Sequence, residues 1–268
     1  MGREENVAVF EDTERLCKNN VKLRESVRKS TASQKLILET DDLPEQKKDL
    51  YEEAAKVVVS KKRTFEAAKA YKGSKIAVHN FASATGPGGG VTRGATAQEE
   101  CLCRCSGLYF CLSTRKMKNG FYIPHRETND PLNNGDIIYT PGVTVFKSDT
   151  ANPLLMAETD WYDVDVITCA APKLRQVKIK DKELQEIHEK RLRRILEVAI
   201  SEGRDTVILG AFGCGAFRNS PEVVARANSN VIKDYLHAFK NIEYAVYCSP
   251  REETPNYTVF SRVLKPYC

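Results

Sequence analysis

Three consecutive glycines, Gly88, Gly89 and Gly90, precede two adjacent carboxylates, Glu99 and Glu100, at what reads as the start of a helix. Glycines let main chain approach a ligand closely and admit backbone angles that a Cβ forbids. Carboxylates just beyond such a loop are placed to move protons. A second glycine-rich turn, Gly210-Ala211-Phe212-Gly213-Cys214-Gly215-Ala216-Phe217, follows an apolar run over a hundred residues later. Two such loops on one sheet can form the opposing walls of a cleft.

Neither loop has the Gly-Lys-Ser/Thr of a P-loop or the spaced glycines of a dinucleotide fold. The run Gly213, Cys214, Gly215, Ala216, Phe217 nevertheless leads to Pro221, a good opening residue for a helix. Successive N–H groups near a positive helix end hold a diphosphate without any lysine. The plainer reading is a tight turn between strand and helix. Neighbouring helix residues diverge, so Glu99 and Glu100 are expected to do different jobs, one holding a sugar hydroxyl and the other working on a scissile bond. A general acid needs a pKa raised by burial and nearby like charge, whereas the helix N-terminus favours the anion. Glutamates in a first turn also serve helix stability alone. Cys101 and Cys105 share a helix face while Cys103 points away, so the triplet does not close a tetrahedral metal site and reads as small buried hydrophobes. Cys214 reads as a space-filler in a tight turn, and His79 is assigned no chemistry.

The elements that must carry these loops alternate along the chain. Residues 9–30 read as a charged helix and 35–38 as a short strand. Asp41-Asp42-Leu43-Pro44 then breaks the pattern, so residues 1–51 are expected to be an extension packed on a main domain spanning 52–268. In that domain strands are expected at 56–59, 76–80, 164–170, 206–209 and 243–248, with a hairpin of 136–139 and 143–146 around Pro141 and Gly142. Helices are expected at 64–71, 97–113, 181–201 and 221–239. Near-continuously apolar strands alternating with helices argue a mixed sheet covered on both faces, a three-layer α/β/α domain. Ligands of such sheets bind outside the carboxyl ends of the strands, and both glycine loops leave strand ends. In the last of these helices Asn228 is the polar exception on an apolar face, and a buried amide needs partners.

Bulk properties narrow the partners. At 268 residues with 41% hydrophobic and 29% charged content, the chain reads as globular. No apolar run approaches the roughly 20 residues of a membrane span, and the first residues lack the apolar core of a secretory signal. Nine cysteines, an odd number, point to a reducing cytoplasm. The net charge of +5 suits a polyanionic substrate, but the bases are dispersed and no specific nucleic-acid binding is expected.

With Gly88 to Gly90, a seven-residue spacer, and Gln98, Glu99 and Glu100 in hand, the chain resembles the poly(ADP-ribose) glycohydrolases. It looks most like their compact bacterial-type branch, which is built on a macrodomain. The segments Val78 to Ser83, Ser106 to Tyr109, Ala170 to Pro172 and Gly210 to Asn219 extend the likeness, which runs from about Val57 to Phe260.

The resemblance implies Glu100 as the acid that protonates the departing ribose oxygen, with Glu99 on ribose hydroxyls and Gln98 in the same motif. It places Asn80 and Gly88, Gly89 and Gly90 against the terminal ribose. Gly213, Cys214, Gly215, Ala216 and Phe217 would wrap the diphosphate, with Phe217 packed on the ribose. An aromatic shelf for adenine falls to Phe260 or Tyr257. No metal and no cofactor are expected. The chemistry agrees with the residues: an O-glycosidic bond, an oxocarbenium-like transition state, and carboxylates to carry proton and charge. Phe212 stands where many relatives carry tryptophan, Asn228 where an apolar residue is expected, and Arg93 brings a base near the carboxylates. The implied activity is exo-hydrolysis of ribose–ribose bonds, releasing ADP-ribose from poly(ADP-ribose) or from ADP-ribosylated proteins, by a monomer that is cytoplasmic, or nuclear in a eukaryote. The alternatives are a macrodomain that reads ADP-ribose without cutting it, and a hydrolase of another ADP-ribosyl linkage.

Overall fold

A computed structural model describes residues 1–175, 177–249 and 252–268. In chain order, α1 (Arg3–Asn19) and α2 (Val21–Ala32) lead to β1 (Lys35–Ile37), β2 (Lys56–Ser60), α3 (Thr64–Lys69) and β3 (Ile76–Ala82). Then come α4 (Gln98–Cys105), α5 (Leu108–Leu112), α6 (Arg115–Met117), α7 (Ile123–Thr128), β4 (Ile137–Val145) and β5 (Tyr162–Ala170). The chain closes with α8 (Asp181–Ser201), β6 (Thr206–Leu209), α9 (Pro221–Ile232), β7 (Asn241–Ala245) and α10 (Pro255–Leu264).

The seven strands form one mixed sheet in the order β1-β4-β5-β3-β6-β7-β2. From β5 to β2 the strands run parallel, and β4 and β1 are antiparallel additions at one edge. The two-residue period of a strand divides β3 between two cores. Ile76 and Val78 pack with Leu102, Leu108 and Val166 on one face, and Ala77 packs with Leu196, Val224 and Val207 on the other. The same alternation sends Asn80 toward α4 and His79 toward α8. This is the α/β/α layering expected from the strand–helix rhythm.

Residues 1–51 contribute the edge strand, since β1 pairs with β4. Helix α1 lies over the spacer of the first glycine loop: the Asn6 amide donates to Gly94 O at 3.3 Å, and Thr13 Oγ1 donates to Arg104 O at 2.6 Å. Lys147, buried at the end of β4, donates to Val9 O and Thr13 Oγ1 at 2.9 and 2.8 Å.

Several expected elements differ. The hairpin around Pro141 and Gly142 is one strand, β4, in which the register against β5 shifts between Thr140 and Val143. The two residues bulge out of the ladder instead of reversing it, because the segments on both sides find partners along β5. The 97–113 helix is two, α4 and α5, broken where Ser106 adopts an extended conformation and bridges to Val145. The 9–30 helix is also two, because Asn20 turns extended and caps α2 by accepting from Leu23 N. The 221–239 helix ends at Ile232.

Candidate active site

The first wall of the site is built where α4 begins beside the end of β3. Gln98 staples the two together: its Oε1 accepts from Phe81 N at 2.8 Å, and its Nε2 donates to His79 O at 2.7 Å and Thr64 Oγ1 at 3.0 Å. Glu99, almost wholly buried, accepts from Ser83 N at 2.7 Å and Asn80 Nδ2 at 3.3 Å through different oxygens. Glu100 accepts from Gly90 N at 2.8 Å through Oε1, while its buried Oε2 has no partner among the described residues. The two carboxylates leave the helix in different directions, yet the glycine loop wraps round the first turn of α4 and meets both. Burial, and then the charge of Glu100, pushes the Glu99 carboxyl up to about 8. The oxygens of this raised carboxyl are already held by the protein.

Gly89 shows why this loop must be bare. It sits at φ +57°, and a Cβ there would lie 2.6 Å from Glu100 Oε1 and 3.2 Å from Glu99 Oε2. The spacer that follows is fixed from outside, since a Cβ on Gly94 would lie 2.3 Å from the Arg3 carbonyl oxygen of α1.

The second wall follows β6. Gly213, at φ +77°, passes so close to Ala171 that an added Cβ would meet its methyl at 2.7 Å. The loop is held from behind by Asn219, whose amide donates to Pro172 O, Gly213 O and Phe217 O and whose Oδ1 lies 2.8 Å from His188 Nε2. With those carbonyls occupied, the N–H groups of Gly213, Gly215, Ala216 and Phe217 donate to no acceptor among the described residues. Free N–H groups of this kind, just ahead of α9, are a cradle for an anion.

Between the walls lies a cavity of about 350 Å³. Its lining follows the carboxyl ends of the parallel strands: Lys62, Arg63 and Thr64 after β2, Val246 and Tyr247 after β7, Phe212, Gly213, Gly215, Ala216 and Phe217 after β6, Phe81 and Ser83 at β3, Ala171 after β5. Glu99, Glu100, Gln98 and Cys101 complete it from α4.

Of the residues expected to touch a ligand, Gln98, Glu99, Glu100, Gly213, Gly215, Ala216 and Phe217 share this cavity. Five placements need correction. Asn80 is fully buried and donates to Glu99 and Thr168, so it orients a carboxylate from behind instead of lining the cavity. Gly89 and Gly90 back the Glu100 carboxylate, Gly88 lies against Tyr109 and Cys103, and none of the three is in the lining. Cys214 turns inward, with its thiol on Phe212 O and pushed up to about 12 by burial. Phe260 has no exposed surface and packs on Tyr244, because α10 lays its apolar face on the sheet. Tyr257, one turn earlier, sits under Lys61 Nζ outside the cavity.

Sequence reasoning missed Arg63, Asp149 and Tyr247. Tyr247 is the exposed aromatic of the cavity, with the Arg63 guanidinium 4.1 Å from its ring centre. Asp149 reaches across to accept from Phe65 N at the start of α3, and burial raises its carboxyl to about 6. The available signal was position alone: Arg63 and Tyr247 each follow a strand end in a sheet whose ligands bind there. Cys103 and Cys105 are core residues, and only Cys101 of the triplet reaches the cavity. His79 and His188 flank the Phe212 ring, at 4.4 and 5.4 Å, and burial holds them down at about 3 and about 4. Asn228 answers its buried amide within its own helix, donating to Val224 O at 2.8 Å.

Residues 4–148 match the family described as microbial-type PARG, catalytic domain. Among solved structures, poly(ADP-ribose) glycohydrolase from Thermomonospora curvata superposes with a TM-score of 0.86 at 27% identity, over 97% of this chain and 100% of that one. The same enzyme bound to the inhibitor ADP-HPD gives 0.84 at 29% identity, over 97% and 99%. The Deinococcus radiodurans enzyme in complex with ADP-ribose gives 0.79 at 32% identity, over 90% of this chain and 98% of that one. No curated protein matches the chain.

Proposed function

We propose, from the premise that the chain belongs to the microbial-type poly(ADP-ribose) glycohydrolase family, that it cleaves ribose–ribose O-glycosidic bonds with Glu100 as general acid and releases ADP-ribose. One observation carries the assignment of roles. Both glutamates line the cavity, but both oxygens of Glu99 are engaged by the protein, whereas Glu100 has one oxygen tied to Gly90 and the other without a partner among the described residues.

In this reading the diphosphate settles on the N–H groups of Gly213, Gly215, Ala216 and Phe217, and the terminal ribose lies between Phe217 and α4. Glu99 accepts a ribose hydroxyl, and Tyr247 supplies the adenine shelf first sought at Phe260. Glu100 donates its proton to the departing ribose oxygen as the anomeric C–O bond breaks. Positive charge spreads over the sugar, and a water then bonds to the anomeric carbon and returns a proton to the carboxylate. Polymer incubated with wild type should release ADP-ribose, and Glu100→Gln should bind ADP-ribose within a few-fold of wild type while turning over about 10²–10⁴ times more slowly. Equal turnover would remove Glu100 as the acid. Binding by wild type without release would show a reader of ADP-ribose instead.

A further inference from the structure

The cavity has a direction. In sheet order its lining passes from β2 and β7, with Tyr247, through β6 and β3 to β5, with Ala171, and the two carboxylates stand at the β3 end. Whatever is joined to the sugar beside Glu100 therefore continues outward past β5. The chain leaving β5 there is basic. Within ten residues it carries Lys173, Arg175, Lys178, Lys180 and Lys182, against the single carboxylate Asp181.

Lys173, Arg175, Lys178 and Lys180 are exposed, as is Arg218 on the adjoining loop. Among the described residues none of these five is within ion-pair distance of a carboxylate, whereas Lys182 reaches Glu186. The tract is moored to the second wall of the site. Leu174 N donates to Phe217 O at 2.9 Å, and Arg175 Nε donates to Ala216 O at 2.5 Å, which holds a guanidinium on the outer side of the anion cradle. The surrounding loop adds the exposed Asp130 and the buried Asp136, and the first turn of α8 adds Glu183, so the exposed bases outnumber the exposed carboxylates here.

Resting on the proposed cleavage of poly(ADP-ribose), we infer that Lys173, Arg175, Lys178 and Lys180 together with Arg218 form a track for the polyanion beyond the scissile bond. The bases take diphosphates of polymer units that the cavity itself does not hold. Binding of this kind releases counterions, so it strengthens with polymer length and weakens with salt.

The test compares a two-unit substrate with long polymer, measuring kcat/KM from 50 to 200 mM salt. The variant is Lys173→Gln/Lys178→Gln/Lys180→Gln, which leaves the mooring Arg175 in place. Three lost phosphate contacts at a slope of about 0.7 each amount to about 20-fold across that range. Wild type should lose about 20-fold more than the variant on long polymer, and the two should match within threefold on the short substrate. A variant equal to wild type on long polymer at every salt concentration overturns the track, as does a variant weakened equally on both substrates. Failure of wild type to cleave either substrate would refute the parent reading instead.

Discussion

Gly89→Ala puts the geometry of the acid to a direct test. The backbone angle alone, φ +57°, costs a residue with a Cβ about 1 kcal/mol. The larger effect is steric. The new methyl would stand 2.6 Å from Glu100 Oε1, and carbon–oxygen contacts settle near 3.3 Å. The carboxylate must therefore retreat by about 0.7 Å, which stretches its 2.8 Å bond from Gly90 N past the normal range. A displacement approaching 1 Å at a reacting group costs about 10²-fold in rate. The expected result is a kcat 30- to 100-fold lower and a melting temperature about 2–4 °C lower per kcal/mol lost. Affinity for ADP-ribose, read by calorimetry, should shift far less than kcat, because the anion cradle is on the opposite wall. Gly86→Ala is the control: it lies in the same loop at an ordinary φ with nothing within 4 Å of its would-be Cβ, and should keep full activity. A Gly89→Ala enzyme with kcat within threefold of wild type would refute the claim that bare main chain sets the position of Glu100.

Four further outcomes follow from the packing. Glu99, raised to about 8, is favoured in its protonated form by the fold, so the unfolded chain binds fewer protons between about pH 4.5 and 8 and stability falls as pH rises through that window. Glu99→Gln removes the loss, and melting curves should show the variant gaining on wild type up to about pH 8 and no further, by on the order of 4 kcal/mol at most; parallel curves at all pH would contradict the raised carboxyl. Phe260→Ala should cost about 3–5 kcal/mol of stability in denaturant titrations and leave ADP-ribose affinity within threefold. Tyr247→Ala should do the reverse, weakening ADP-ribose by about tenfold or more with little change in stability. Lys147→Met strips the buried donor that ties Val9 and Thr13 to the domain, costs about 2 kcal/mol, and should speed proteolysis within residues 1–32; unchanged cleavage kinetics would show that the extension is held by other contacts.

The architecture was legible because its signals are local. Apolar strands such as 206–209 and amphipathic stretches such as 181–201 carry their period in a few neighbouring residues, and they fall where the pattern puts them. The misread boundaries share one cause: long-range partners overrode local preference. Pro141 and Gly142 read as a turn in isolation, but β5 supplies pairing on both sides and turns the dipeptide into a bulge. Ser106 lies in a helical pattern and is drawn out to bridge Val145.

The catalytic loop was legible for a different reason. Glycine leaves main chain bare, so three in a row at this spacing from Gln98, Glu99 and Glu100 imply a close approach of main chain to carboxylates. Which side of that approach each residue occupies was not legible. Asn80, Gly89 and Gly90 stand behind the carboxylates, and strand parity with loop curvature decides this. The adenine shelf failed more simply. An aromatic on an amphipathic helix is more often core than ligand platform, and Phe260 obeys that preference, whereas Tyr247 had nothing to mark it except its place after the last strand.

The division of labour between the two glutamates rests on hydrogen-bond saturation more than on acidity. From sequence, the acid was expected to be the carboxyl with the raised pKa. In the structure burial raises the Glu99 carboxyl, yet its oxygens are already matched to Ser83 and Asn80. A saturated carboxyl is held still and suits a fixed contact to a hydroxyl. Glu100 keeps a buried oxygen with no donor among the described residues, an arrangement that costs a fold about 1–3 kcal/mol. A domain that only reads ADP-ribose gains nothing by carrying that cost. It becomes useful when the missing partner is an oxygen that takes on charge as a glycosidic bond breaks, because an interaction completed only in the transition state lowers the barrier without deepening the ground state.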